Sequence, residues 1–392
     1  MTPEQELLLR FASPPKPDPE AGIAALLAGD MINWPAFVKL SAREGLISIV
    51  YRQLWTLFSN RIPTEILERL RNIHFANSAM NLFLIRELET VLSLMKSRDI
   101  QVIPFKGPAL AAQLYGDANL RTSSDIDLLV QRHDVRKAEE GLRDAGYHPE
   151  FPLRGAQGIA YLHAYNELTM IRGNRAPLEI QWGLVPWHYG FRWDLSDAFN
   201  RACSVKAGGA VFPTLPPEEL LLTLCIHGTK HLWERLLWVC DVAWLVTSEK
   251  DLDWERTLSI ASAAGGRRML LLGLCLARDL FWAVLPDKVH WLMQSEPGLS
   301  QLAGEVKRGL FEEGAKPATL RQKMMFFLRA RERRKDRVMF VVKTLLNVFL
   351  VARKPIDMPR LFLPLYFIMR PFSLASNYGT PILAKYAGRS IT

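Results

Sequence analysis

A change in the period of the apolar residues near position 98 constrains this chain more than any other feature. Leu84, Ile85, Leu88, Val91, Leu92 and Met95 recur at helical spacings and predict one apolar helix face. That pattern stops at Ser97-Arg98-Asp99, and residues 100–105 form a short β-branched and aromatic run that reads as a strand. Lys106-Gly107-Pro108 is a turn, residues 109–115 read as a helix closed by Gly116, and residues 125–130 read as a second strand. Residues 135–145 form an amphipathic helix pattern ending at Gly146. Two further strand-like runs, 167–172 and 178–182, flank Gly173-Asn174-Arg175 and predict a hairpin. The pattern is helical again from Glu218, with Pro286 and Pro297 as breaks, and residues 321–353 read as a long basic helix or a helix pair. No internal repeat is present.

This order predicts an α+β fold, with a small mixed sheet of four or five strands embedded between N-terminal and C-terminal helical regions. It divides the chain into a disordered, proline-rich leader (1–20), an N-terminal helical region (21–98), the sheet core (99–200), a helical domain closing the site (201–300) and a basic, partly helical end (301–392).

A chain of 392 residues with 49% hydrophobic and 23% charged residues buries a sizeable core without disulfides. Cys203, Cys225, Cys240 and Cys275 lie far apart with no C-x-x-C spacing, as expected of reduced, mostly buried thiols in a cytoplasmic protein. The N-terminus lacks the basic start and apolar run of a secretory signal. The best membrane-span candidate, 338–352, is shorter than the roughly 20 residues needed and carries Lys343 and Asn347. Residues 305–392 hold 18 Lys and Arg against 6 Asp and Glu, an excess larger than the formal +9 of the whole chain. The basic character therefore belongs to the C-terminal end. Such an end suits an anionic membrane surface, nucleic acid or an acidic protein partner, or is simply a set of solvated helix faces.

Asp125 and Asp127 are the pair that points to chemistry. One residue apart on a strand, their carboxylates face the same way, and two like charges that close call for a cation between them. Mg²⁺ (or Mn²⁺) prefers oxygen ligands and is commonly shared between carboxylates and substrate phosphates. Gly107, eighteen residues earlier, sits between a strand and a helix, where a turn exposes backbone N–H groups to a phosphate. Lys106 adds charge at that turn, and Arg121, Thr122, Ser123 and Ser124 lead into the acidic strand as further phosphate donors. Taken singly, each of these is an ordinary feature: a surface Asp pair, or a plain strand-to-helix turn.

Together they carry a resemblance. Phe105-Lys106-Gly107, Leu114-Tyr115-Gly116-Asp117, Leu120-Arg121 and Ser124-Asp125-Ile126-Asp127-Leu128-Leu129-Val130 look like the bacterial nucleotidyltransferase-like family within the DNA polymerase β-like nucleotidyltransferase superfamily. The likeness extends to Gly146-Tyr147, to Glu179-Ile180-Gln181-Trp182 and to Cys225-Ile226-His227-Gly228-Thr229-Lys230-His231, and covers roughly residues 47–246. It implies a nucleoside triphosphate held at the Gly107 turn, divalent metal on Asp125 and Asp127, and Glu179 as third carboxylate and base. It also implies transfer of a nucleoside monophosphate to a hydroxyl acceptor with release of pyrophosphate. Two residues depart from the family pattern. Pro108 follows Gly107 where a second Gly or Ser is usual and so offers no N–H, and Gln181 stands where relatives often have His.

His227, His231, Arg235, Trp238 and Asp241 recur at helical spacings and predict one shared helix face that closes over nucleotide or acceptor. A zinc pair at His227 and His231 lacks the Glu of a His-Glu-x-x-His motif, because Gly228 follows His227. His163, His188 and Glu167 are acceptor-contact candidates, or ordinary loop and strand residues. The expected partners are a nucleoside triphosphate and an acceptor that is a small molecule, sugar, peptide, protein or RNA. The competing reading is a catalytically degenerate relative that binds a nucleotide or a partner.

Overall fold

The structure, a computed structural model, describes residues 1–15, 20–28, 32–150, 161–163, 165–191, 193–312 and 318–350. Helices α1 (Pro3–Ala12), α2 (Glu20–Ala28), α3 (Trp34–Arg43) and α4 (Ile47–Leu57) precede α5 (Thr64–Ser97), a long helix that reaches the sheet. The sheet region comprises β1 (Val102–Pro104), α6 (Gly107–Tyr115), β2 (Ile126–Val130), α7 (Val135–Asp144), β3 (His148–Pro149), β4 (Glu167–Ile171) and β5 (Leu178–Gln181). Its strand order is β1-β2-β5-β4-β3. β2 and β5 run parallel and the other pairings are antiparallel, which makes the sheet mixed.

Alternation along the strands explains where the polar residues go. Ile126, Leu128 and Val130 of β2, with Leu178 and Ile180 of β5, pack against Leu84, Leu88 and Val91 of α5 and Leu142 of α7. A strand turns successive side chains to opposite faces, so Asp127, Leu129, Glu179 and Gln181 face the other way. On that side Ile103 and Leu129 join the core of the helical part, with Leu110 and Leu114 of α6. The acidic face of the sheet thus looks towards helices.

The helices that follow the sheet are α8 (Ser196–Asn200), α9 (Pro217–Lys230), α10 (Leu236–Ser248), α11 (Trp254–Ala264), α12 (Arg267–Phe281), α13 (Asp287–Ser295), α14 (Leu299–Phe311), α15 (Leu320–Ala330) and α16 (Arg334–Leu350). A second, two-stranded sheet, β6 (Cys203–Ala207) and β7 (Ala210–Thr214), lies before α9. The sequence reading did not anticipate it. The expected basic helix at 321–353 is a pair, α15 and α16; residues 351–392 lie outside the described residues.

The expectation of a disordered leader over 1–20 is corrected for its first part. Thr2 and Gln5 form a reciprocal capping box at the start of α1, with Pro3 in its first turn. Leu7, Leu8 and Phe11 are fully buried, and each such side chain contributes roughly 1.5–3 kcal/mol. The crowded prolines begin only after the helix, so they terminate it rather than unfold it. Residues 16–19 lie outside the described residues. α1 packs with Phe37 and Ile49 and with Leu221, Trp233 and Leu245 in one core, so the N-terminal and central helical regions share an interior. Trp244 Nε1 donates to the Ala12 carbonyl at 2.9 Å across that junction. Cys225, Cys240 and Cys275 are buried, Cys203 is exposed and all four thiols are free.

Candidate functional site

Register sets the acidic centre. Asp127 of β2 stands directly opposite Glu179 of the parallel strand β5, so two carboxylates far apart in sequence meet on one sheet face. Asp125 enters the same cluster from the residue just before β2. Asp127 is 2% exposed. Its Oδ1 accepts from Lys106 Nζ at 2.7 Å and from Gln181 Nε2 at 2.8 Å. The same Gln181 amide donates to Glu179 Oε2 at 2.8 Å, so it ties the two carboxylates together.

Lys106 arrives by way of the turn into α6. Gly107 adopts φ +65°, a conformation glycine reaches without steric cost. A Cβ there would stand 3.5 Å from the Asp125 carbonyl. That is an ordinary contact distance, so the positive φ rather than the space is what calls for glycine at the start of α6. Asn81 of α5 holds the intervening loop from behind, donating to the Ala118 and Arg121 carbonyls at 2.8 Å each.

The electrostatics follow from this crowding. Burial, then Asp127 and Glu167, push the Glu179 carboxyl up to about 7, against the opposing pull of Lys106. Burial and Asp127 also raise Asp125. Burial lowers the Lys106 ammonium, but Asp127, Glu179 and Asp125 together outweigh it and leave its pKa raised. One ammonium thus faces several carboxylates.

Three residues expected to bind nucleotide, Arg121, Ser124 and Arg235, have the following surroundings. Arg121 gives its Nε to the fully buried Asp241 of α10, at 3.2 and 3.1 Å from the two carboxylate oxygens, and is itself only 8% exposed. Tyr115 OH closes that pair by donating to Asp241 Oδ1 at 2.6 Å. Arg121 is a buried ion-pair partner first, although Asp127 still lies near enough to raise its pKa. Ser124 is exposed, whereas the neighbouring Ser123 hydroxyl is buried with no hydrogen-bond partner among the described residues. Arg235 is exposed at the start of α10 and has no ion-pair partner among the described residues.

The expected single helix face from His227 to Asp241 is broken. α9 ends at Lys230, and Leu232 and Trp233 take positive φ values of 55° and 56°. Trp233 folds back over Gly228, where a Cβ would stand 2.5 Å from the indole ring. Gly228 therefore serves packing, and the chain turns before α10 begins. The tertiary fold still gathers part of the set: His227 lies 4.7 Å from His231 and 5.3 Å from Trp238, ring centre to ring centre. Burial, then Lys106, lower His227 well below its ordinary value, and burial with Lys230 lowers His231 to about 4. Both imidazoles are neutral at pH 7. Lys230 lies 4.0 Å from Glu167, the β4 carboxylate that also acts on Glu179. No local pattern marks Asp241 as the partner of Arg121, or Tyr115 as its third member.

Among the described residues, no three His, Cys, Asp or Glu side chains stand ready-arranged around a metal position. Asp127 is instead held by Lys106 and Gln181. The donor chemistry nonetheless fits a hard divalent cation. Asp125, Asp127 and Glu179 offer oxygens from two adjacent strands, and their mutual repulsion is what a doubly charged ion relieves.

A sequence profile described as uncharacterised nucleotidyltransferase matches residues 30–282, more than half of the chain and all of this site. No curated protein and no solved structure matches the chain.

Proposed function

The chain belongs to the uncharacterised nucleotidyltransferase family, and from that premise we propose that it transfers a nucleoside monophosphate from a nucleoside triphosphate to a hydroxyl acceptor. The observation that carries this reading is the Asp127–Glu179 register across the parallel pair β2–β5, with Asp125 beside it and Lys106 as countercharge. Asp125, Asp127 and Glu179 would hold Mg²⁺ (or Mn²⁺). Bound there, the ion would neutralise phosphate charge and make the acceptor hydroxyl more acidic.

The chain's own groups have distinct tasks. The Gly107 turn at the start of α6 would offer backbone N–H groups to phosphate oxygens, except at Pro108, which has none. Lys106 moves from Asp127 towards the phosphates as negative charge arrives. Gln181 keeps Asp127 and Glu179 in register. Glu179, opposite Asp127 on the same sheet face, would accept the acceptor's hydroxyl proton. His227, His231 and Trp238 form a neutral, flat-sided wall suited to an acceptor or a nucleobase.

A second reading rests on Lys106 and Gln181, which already occupy Asp127, together with Pro108. On that reading the chain binds a nucleotide or a partner without turnover. Calorimetry with ATP, GTP, CTP and UTP, with and without Mg²⁺, separates the possibilities. Mg²⁺-dependent binding that Asp125→Asn/Asp127→Asn abolishes, followed by pyrophosphate release with an acceptor, supports transfer. Mg²⁺-dependent binding with no pyrophosphate from any acceptor supports the non-catalytic relative. Tight nucleotide binding that neither Mg²⁺ nor the double variant alters would sink the metal-site assignment.

A further inference from the structure

α16 has two unlike sides. Inward, Phe340 packs 4.9 Å from Phe327 of α15 and 5.7 Å from Tyr189, ring centre to ring centre. Lys343 Nζ lies 5.0 Å from the centre of the Trp187 ring. These contacts fix how the helix is rotated. Outward it presents Val338, Met339, Val341, Val342, Leu345 and Leu346, all exposed, with Val338 at 63% and Leu345 at 56%. Spaced at about 100° per residue, the six occupy one broad arc of the helix. Arg334 and Lys335 lie on the same arc at its N-terminal end, exposed and without ion-pair partners among the described residues. The nearby Asp336 is turned away and sits 3.6 Å from the buried Arg331. The outward face is therefore a continuous apolar stripe with two cations and no carboxylate.

Exposed singly, such residues need no explanation; as a contiguous stripe on one helix they mark a contact surface. Its charge selects the contact. A second copy would set these cations against its own cations if paired parallel, or against the apolar Leu345–Leu346 end if antiparallel, and in neither case meet them with a carboxylate from the stripe. A bilayer with anionic headgroups satisfies both parts, taking the stripe into the acyl boundary and the cations at the phosphates. No helix among the described residues is long and apolar enough to cross a membrane, which agrees with a helix lying in the surface. We propose that α16 docks the protein flat on an anionic membrane through the Val338–Leu346 stripe, with Arg334 and Lys335 reading the lipid charge. This docking is independent of the nucleotidyltransfer reading.

The test is vesicle co-sedimentation of the full-length protein at about physiological salt. Vesicles of phosphatidylcholine alone are compared with vesicles containing a large share of phosphatidylglycerol. The expected result is binding to the anionic vesicles only. Each exposed cation near such a surface supplies about 1 kcal/mol, so Arg334→Gln/Lys335→Gln weakens binding about 30-fold. Val342→Glu/Leu345→Glu removes it while leaving the near-ultraviolet circular dichroism unchanged, because both side chains already face solvent. Three results overturn the proposal. One is binding that the Glu variant retains. Another is a wild-type oligomer that the Glu variant dissociates without any vesicle binding, which assigns the stripe to a second copy. The third is no wild-type binding while the Glu variant becomes newly protease-sensitive within 351–392, which assigns the stripe to that segment of the same chain.

Discussion

Asp241→Asn tests the link between the helical part and the loop that leads into Asp125. Asp241 is 0% exposed and carries three contacts: Arg121 Nε at both carboxylate oxygens, and Tyr115 OH. The asparagine keeps the shape and one acceptor oxygen but removes the charge. It leaves the Arg121 guanidinium, itself 8% exposed, without its counterion. Breaking a buried ion pair from one side costs about 3–5 kcal/mol, and the surviving hydrogen bonds place this case near 3 kcal/mol. Arg121 directly follows Leu120 in the loop fastened by Asn81, and leads through Ser123 to Asp125. Loosening it disorders the approach to the acidic strand, so nucleotide affinity falls with stability. Urea unfolding followed by tryptophan fluorescence measures the first effect and calorimetry the second. Arg121→Gln/Asp241→Asn removes both charges and recovers about 2 kcal/mol of the single-variant loss, a coupling of the size found for contacting residues. A single variant within about 1 kcal/mol of wild type, or a double variant whose loss is the plain addition of the two singles, refutes the pairing argument.

Three further outcomes are expected. Glu179 titrates near 7 when folded against 4.5 for a free carboxyl. The unfolded chain therefore releases this proton first, and stability of the metal-free protein falls as pH rises from about 4.5 to 7. Thermal melts in EDTA across that range show the fall, Mg²⁺ reverses it, and flat melts with Glu179→Gln matching wild type count against the carboxylate cluster. Gly107→Ala forces a Cβ into φ +65° at a cost of about 1–2 kcal/mol. It also weakens nucleotide binding more than it weakens the fold, which paired melts and titrations resolve; unchanged affinity removes the α6 turn from the phosphate site. Gly228→Ala drives a methyl to 2.5 Å from the Trp233 ring and lowers stability by up to about 3 kcal/mol, seen as an earlier urea midpoint together with a shifted tryptophan emission. An unshifted emission at wild-type stability contradicts the packing role given to Gly228.

Much of the sheet was readable because its signals are local. The 3.6-residue pattern of α5, the short strands β1 and β2, the Gly116 stop and the β4–β5 hairpin all depend on residues close in sequence. So does Asp125-Ile126-Asp127, where the period of two alone sends both carboxylates to one face. The β6–β7 hairpin was missed although its signals are local: Cys203, Val205 and Ala207 alternate with Ser204 and Lys206, and Gly208-Gly209 closes the turn. The leader was misread because a proline count over 1–20 averages a capped helix with the segment that follows it.

What the sequence determined by itself, then, is local: element type, the turn at Gly107 and the paired aspartates. Tertiary structure decided everything that depends on which distant segments meet. The parallel register of β2 and β5 sets Glu179 opposite Asp127, and a register slip of one residue would have turned Glu179 into the core. Packing set Asp241 beside Arg121, because a buried guanidinium needs a counterion wherever the fold encloses it. The bend at Leu232-Trp233 is likewise a tertiary result: helical spacing runs unbroken through His227, His231 and Arg235, yet the chain turns at two positive-φ residues and the Trp233 ring fills the space above Gly228.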